Sequence, residues 1–414
     1  MVRWTIALID KYGALVLAGW LMLTAYRIMT AWHADMAGLY VAAHAFANGH
    51  PELMYPTPDR QVGTTPEAWL PLLASFGYSD AVTYPYVYPP IWAALLAPLT
   101  IVMPIQAFLP FTALLQAGLF FASVRIVHHL VGSFMPWPRW ALISTPILAT
   151  STASVAALSL NQPQITLTFF ALLATLLLIR GSSIRAGILF ALPAAIKLSP
   201  IVFVVVLLAT RKWRAGTAMI GTVLALVLLD LVIGGGRLNH DFITKISTLA
   251  DYTVSSRLSI NIGPILHGWF VGGENAFETI PAGGYTALTP AWLTVVSIAA
   301  LLVTTCWLVI VTGAQDSATR VVSLSFGLML IIALFGQFGW AHYYLGPLMA
   351  LPMLLDPRLP RSALVVFAAA LVVCSVSFML RAPLELTQAL PFLTYASFLA
   401  LIACRPTARR AHPQ

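Results

Sequence analysis

The chain has 414 residues, of which 59% are hydrophobic and only 9% are Asp, Glu, Lys or Arg, and its mean hydropathy is +0.87. A soluble domain carries about a quarter charged residues, so a water-soluble globular protein is excluded, and apolar runs without period-two alternation exclude a membrane barrel. The net charge of +8 sits at the ends of apolar runs and reads as the positive-inside bias, not as a nucleic-acid surface.

In chain order, Arg3 and Lys11 precede a first span near residues 12–31. The small residues behind it are poorly placed for cleavage, so it reads as an uncleaved signal anchor with its N-terminus in the cytoplasm. It opens into a first outer loop, 32–106, that carries Asp35 and the Tyr84-Pro85-Tyr86-Val87-Tyr88-Pro89-Pro90 segment. Residues 88–103 are expected to re-enter or lie at the interface, because a full crossing would put every later basic cluster on the wrong side. Further spans are expected near 107–127, 140–158, 163–180, 214–233, 291–312, 320–337, 343–356, 362–380 and 388–404.

Between Arg185 and Arg211 there are 25 residues, broken by Pro193 and by Lys197-Leu198-Ser199-Pro200. Proline removes a backbone donor and bends a helix, so two half-helices meeting at Lys197 on the outer side are expected. A second long outer loop covers 234–290. The count is twelve spans with both termini inside, an all-α fold in a single integral-membrane domain over 1–414. Residues 405–414 are too short to fold, and Cys306, Cys374 and Cys404, lying in apolar runs, read as packing residues.

This topology gathers the isolated polar groups on the outer face: Asp35, the 84–90 segment, Asn161-Gln162, Lys197, Asn261 and Trp340-Ala341-His342-Tyr343-Tyr344. A carboxylate at the lip of the bilayer suggests surface chemistry on a lipid-linked substrate. An ammonium at membrane depth is costly without a counter-anion, which marks Lys197 as functional; the plain alternative is snorkelling to the interface. An aromatic belt accounts for Trp340, Tyr343 and Tyr344 but less readily for His342. Asp230 reads as an outer-end residue satisfied by a neighbouring helix, and Arg257 and His267 as ordinary loop charges.

Asp35-x4-Tyr40-Val-Ala-Ala-His44, Asn48-Gly49, Tyr55 and Tyr88-Pro89-Pro90 through Pro98-Leu99, followed by Ala194 to Pro200 and then Arg211 to Arg214, resemble in order and spacing the polyprenol-phosphate-mannose-dependent mannosyltransferases of glycosyltransferase family 87 (DUF2029). Asn161-Gln162 stands where that family has Gly-Gln. Ser259-Ile260-Asn261 loosely matches its Asn-rich loop, and Trp340 to Tyr344 its late Trp/His element.

The resemblance implies a GT-C helical bundle in a bacterial cytoplasmic membrane, with its active site on the periplasmic or extracellular face. The donor would be a polyprenyl-monophosphate sugar, mannose by the family's habit. The acceptor would be a hydroxyl of a glycolipid or glycan. Asp35 would be the general base of an inverting transfer, and Lys197, His342 and Arg257 would hold the donor phosphate. Tyr40, Tyr88, Gln162, Asn261, Trp340 and Tyr343 would line the groove, with residues 84–104 taking the polyprenyl chain. No metal or other cofactor is called for, and a monomer among membrane lipids is expected. The competing class is a transporter or flippase for a lipid-linked sugar, whose mark would be paired, repeated broken segments with midplane charges; Lys197 is the only arguable case.

Overall fold

The computed structural model describes residues 2–56, 63–273, 276–279 and 284–405, with only the backbone for 2–11. The readings placed on the side chains of Arg3 and Lys11 and on residues 406–414 lie outside what is described.

Eighteen α-helices of widely differing length make up the described chain. The long first helix, α1 (Val2–Ile28), leads into the first long loop, expected on the outer face, which holds α2 (Ala34–Ala47), α3 (Leu70–Ser75) and α4 (Pro90–Val102). The bundle continues as α5 (Ile105–Val131), α6 (Trp137–Thr150), α7 (Thr152–Ser159), α8 (Gln164–Ile179), α9 (Ser183–Ile196), α10 (Val204–Ala209) and α11 (Trp213–Ala250). The second outer loop carries β1 (Tyr252–Ser256), α12 (Ile262–Phe270), β2 (Ala276–Thr279) and β3 (Gly284–Leu288). Six helices follow: α13 (Ala291–Val311), α14 (Ser317–Phe335), α15 (Leu345–Met349), α16 (Ser362–Val373), α17 (Val376–Arg381) and α18 (Leu384–Ala403).

The bundle core is built where α1 packs on α6, α8 on α5 and α9, α9 on α11, and α14 on α8 and α18. Outward residues such as Val227, Leu228 and Val232 on α11 and Val295, Leu302 and Ile310 on α13 are exposed and apolar. Such faces are stable against hydrocarbon, where all backbone groups must be paired within the helix. The protein is membrane-embedded.

Five described helices are long and apolar enough to cross a bilayer, or six if the bent pair α7–α8 counts as one. Other apolar helices are shorter: α6, α9 and α16 have 12 to 14 residues, about 18–21 Å against a hydrocarbon thickness of about 30 Å. Residues 345–355 hold only the five-residue α15 and a 3-10 turn over Leu351–Leu355 that follows it across Ala350. The fold is helical as expected apart from one small sheet: the loop after α11 contains three antiparallel strands in the order β1-β3-β2, with Tyr252 opposite Leu288 and Ser256 opposite Gly284.

Residues 90–102 form a helix of 13 residues, about 20 Å long, and its N-terminus is buried yet fully satisfied. Pro90 has no N–H to lose. The Ile91 N–H donates to Asp230 Oδ1 on α11 at 2.5 Å, Trp92 N–H to Pro89 O at 3.2 Å, and Ala93 N–H to Tyr86 Oη at 3.2 Å. Trp92 Nε1 donates to Ala195 O at 3.0 Å, tying α4 to the end of α9. Asp230 is therefore a cap supplied from another helix, favoured also by the positive end of the α4 dipole. Asp230→Ala should cost about 1–3 kcal/mol by stranding the Ile91 donor, whereas Asp230→Asn keeps an acceptor and should cost less; thermal melting of the two purified variants distinguishes them.

The first outer loop has its own small core, in which Val41, Trp69, Leu73, Tyr86, Tyr88 and Leu238 are buried together. Gly38 permits the close approach that locks it: a Cβ there would lie 2.2 Å from Tyr84 O. The Tyr84 N–H donates to Ala34 O at 3.1 Å. The 84–88 segment is thus laid along the first turn of α2, where Asp35 sits.

Candidate functional site

Asp35 occupies the first turn of α2, where the helix begins beneath the 84–88 segment. Its side chain is partly buried, and Oδ2 is enclosed with no hydrogen-bond partner among the described residues. Burial pushes the carboxyl up from its ordinary 3.8 to about 7, against the opposing pull of the Lys197 ammonium and the Gln162 side chain. An acid near neutrality is matched to taking a proton at physiological pH.

Lys197 ends α9. Its backbone is extended (φ −129°, ψ 132°), and a 3-10 turn over Ser199–Phe203 then leads into α10. The two half-helices meeting at Lys197 are therefore present, with Pro193 and Pro200 at the break. Lys197 Nζ lies 4.5 Å from the centroid of the Tyr343 ring, and donates to Tyr343 Oη at 3.3 Å and Gln164 Oε1 at 3.5 Å. These neutral partners leave its charge free to act on Asp35 and on His342. The His342 ring packs edge-on against Tyr343, with centroids 5.0 Å apart. Burial, reinforced by the Lys197 charge, holds its imidazole well below the usual histidine range, so it is a neutral hydrogen-bonding group. Beside Lys197 opens a cleft lined by apolar Leu167, Phe203, Met329 and Ile332 and by polar Gln164 and Tyr343.

The candidates thus divide. Asp35, Gln162, Lys197, His342, Tyr343 and Tyr88, whose phenol lies within electrostatic reach of Asp35 and Tyr343, come together. Tyr40 instead donates to Met103 O at 3.0 Å and packs against Phe108, joining α2 to the end of α4. Asn261 Nδ2 donates to Gly336 O at 2.8 Å, and Trp340 forms an antiparallel bridge with Ser259, so both fasten the second loop to the turn after α14. Arg257 Nη1 donates to the carbonyls of Met379 and Ala382 at 2.5 and 2.6 Å, closing the end of α17.

Two neighbours escaped the sequence reading, while Tyr84, in the 84–90 segment already singled out, lies within reach of the Asp35 charge. Gln164 touches Lys197. His33 is fully buried, with Nδ1 donating to Ser159 O at 2.9 Å. Their signal was proximity alone: Gln164 is two residues beyond Gln162, and His33 two before Asp35.

Over residues 86–335, more than half of the chain, the sequence matches the family model described as glycosyltransferase family 87. The chain belongs to glycosyltransferase family 87. No curated protein matches it. Membership makes this protein a glycosyltransferase, which removes the transporter reading. The family 87 match contains Tyr88, Gln162, Gln164 and Lys197 but stops short of Asp35, His342 and Tyr343; folding brings those three to it.

The backbone at Asn161 accounts for the residue that stands there. Helices α7 and α8 are bent by 116°, and the chain turns there with Asn161 at φ 51°, the left-handed region that glycine favours and asparagine tolerates best among the others. Asn161 Nδ2 also donates to Thr112 Oγ1 at 2.8 Å. Asn161→Gly should therefore shift stability by less than about 1 kcal/mol, since the lost bond is offset by an unstrained backbone. Asn161→Val should cost about 2–4 kcal/mol. Thermal melting in detergent reads both, and equal losses would show that the backbone angle is not what matters.

Proposed function

We propose that this family 87 member is an inverting glycosyltransferase that moves a sugar, mannose by the family's habit, from a polyprenyl monophosphate to a hydroxyl of a glycolipid or glycan. Asp35 is the general base and Lys197 the cation for the donor phosphate. The observation that carries the reading is the joint placement of a carboxyl pushed up to about 7 and an ammonium without a bonded carboxylate, beside a cleft lined in part by apolar side chains.

In the reaction, the acceptor oxygen forms a bond to the anomeric carbon as the bond from that carbon to the phosphate oxygen breaks. The acceptor proton passes to Asp35, and the departing polyprenyl phosphate gains the negative charge that Lys197 faces, with His342 and Tyr343 as neutral donors. A monophosphate is matched by one ammonium with hydroxyl and imidazole donors. The isoprenyl chain fits the side of the cleft formed by Leu167, Phe203, Met329 and Ile332. A charged base near the bilayer lip suits chemistry on the periplasmic or extracellular face of a bacterial cytoplasmic membrane, where lipid-linked donor and acceptor meet.

The test is transfer by purified protein from a panel of polyprenyl-phosphate sugars, with the anomeric configuration of donor and product read by nuclear magnetic resonance. One displacement gives inversion and free polyprenyl phosphate in equal amounts. Retention, or activity confined to nucleotide sugars, would overturn the reading.

A further inference from the structure

We propose that Trp269, Phe270, Leu288 and Trp292 form a membrane-interface anchor, by which the second outer loop is seated among the headgroups and upper acyl chains of the outer leaflet. The inference concerns the loop's partner and is independent of the reaction.

These four side chains are 59, 71, 63 and 44% exposed, a concentration of large apolar groups that a water-facing loop does not sustain without a partner. Their depth is fixed by α13. That helix is a 21-residue apolar span with Val295 and Ile298 exposed along its length, so hydrocarbon begins near its N-terminus. Trp292 lies in its first turn, the level at which tryptophan concentrates in membrane proteins.

The Phe270 ring stands 6.1 Å from that of Trp292, nearly perpendicular to it, and thus shares that level. Leu288 ends β3, which runs through Thr289-Pro290 directly into α13. The aromatic edge cannot turn inward, because α12 already buries Pro264, Ile265 and His267 on its other side, and His267 Nδ1 is 3.2 Å from Tyr285 Oη on β3.

Charge decides among occupants. Residues 262–271 and 284–300 contain no Asp, Glu, Lys or Arg. The anchor therefore works by inserting apolar and aromatic groups, not by attracting anionic headgroups, and should hold as well in zwitterionic as in anionic lipid.

The experiment uses the full chain in lipid nanodiscs, with Cys306, Cys374 and Cys404 replaced by Ser and a nitroxide attached at Phe270→Cys, Trp292→Cys or the exposed outer-loop position Ser75→Cys. Power saturation compares access of oxygen with that of a water-soluble nickel chelate. The expected oxygen-to-nickel ratio at 270 equals that at 292 and is several-fold above that at 75, in both neutral and anionic discs. Aqueous access at 270 like that at 75 would overturn the proposal, as would protection from both reagents, the sign of a second copy or a protein partner. Should the cysteine-free chain fail to fold, brominated phosphatidylcholine provides the second measurement: Trp269→Phe removes part of the quenchable emission if the anchor is seated in lipid, and none if it is not.

Discussion

Asp35→Asn is expected to abolish sugar transfer while making the protein harder to unfold above neutral pH. Removing a positioned base costs about 10²–10⁴ in rate, and the amide cannot take the acceptor proton. The stability effect follows from the same burial. In the folded state the carboxyl is pushed up to about 7 from 3.8, so the fold holds this proton more tightly than the unfolded chain does. The neutral form is the one the site tolerates. Its contribution is complete below about pH 4 and is lost as pH rises through 7.

Asparagine is neutral at every pH and does not lose it. At pH 3 the two proteins should melt together; at pH 8 the variant should be more stable, by up to about 4 kcal/mol. Paired melting curves at the two pH values, alongside a transfer assay, check both halves. Full activity would remove Asp35 from the base role, and a variant less stable at pH 8 would show that the carboxylate is held by partners rather than strained by burial.

Lys197→Met is the second large effect. Removing a cation aimed at charge that develops on the leaving phosphate should lower kcat by about 10²–10³. The rising limb of the pH–rate profile should also move to higher pH, because the Lys197 ammonium is what draws the Asp35 carboxyl down from a still higher value. A merely structural lysine would lower activity without moving that limb. Lys197→Arg should recover only part of the rate: a guanidinium can stack on Tyr343, but its longer planar fork does not put the charge where the ammonium is. A Lys197→Met profile that overlays the parent's would refute the electrostatic link between the two residues.

The parts of the site that could be read from sequence are those where a residue type is costly in its place. An ammonium flanked by Pro193 and Pro200 in an apolar run had to mark a break, and Asp35 stood out in a chain poor in charge. The residues that could not be sorted are those whose side chains serve the backbone. Arg257, Asn261 and Tyr40 look like polar groups available to a ligand, but each donates to main-chain carbonyls of segments 40 or more residues away. Nothing local announces such a partner.

The number of crossings was obscured for a related reason. A window of about 20 apolar residues assumes one straight helix, and the breaks at Ser151, Lys197 and Ala350 divide several windows into shorter helices. The sheet of the second outer loop rests on β1, whose five residues carry too short a pattern to be told from a turn.

The cap on α4 has a consequence for how the protein is made. Ile91 and its acceptor Asp230 are 139 residues apart, which a ribosome takes about 7–30 s to traverse. Throughout that interval α4 has a donor with no internal partner, and an unpaired N–H is costly wherever water is excluded. The first outer loop therefore cannot reach its final form as it leaves the translocon. It waits at the surface, wet, until α11 is inserted and offers its carboxylate, so the loop that carries Asp35 is finished late although it is synthesised early. Nascent chains stalled before residue 230 should leave residues 90–102 open to protease or thiol reagents, and chains stalled well beyond 250 should protect them.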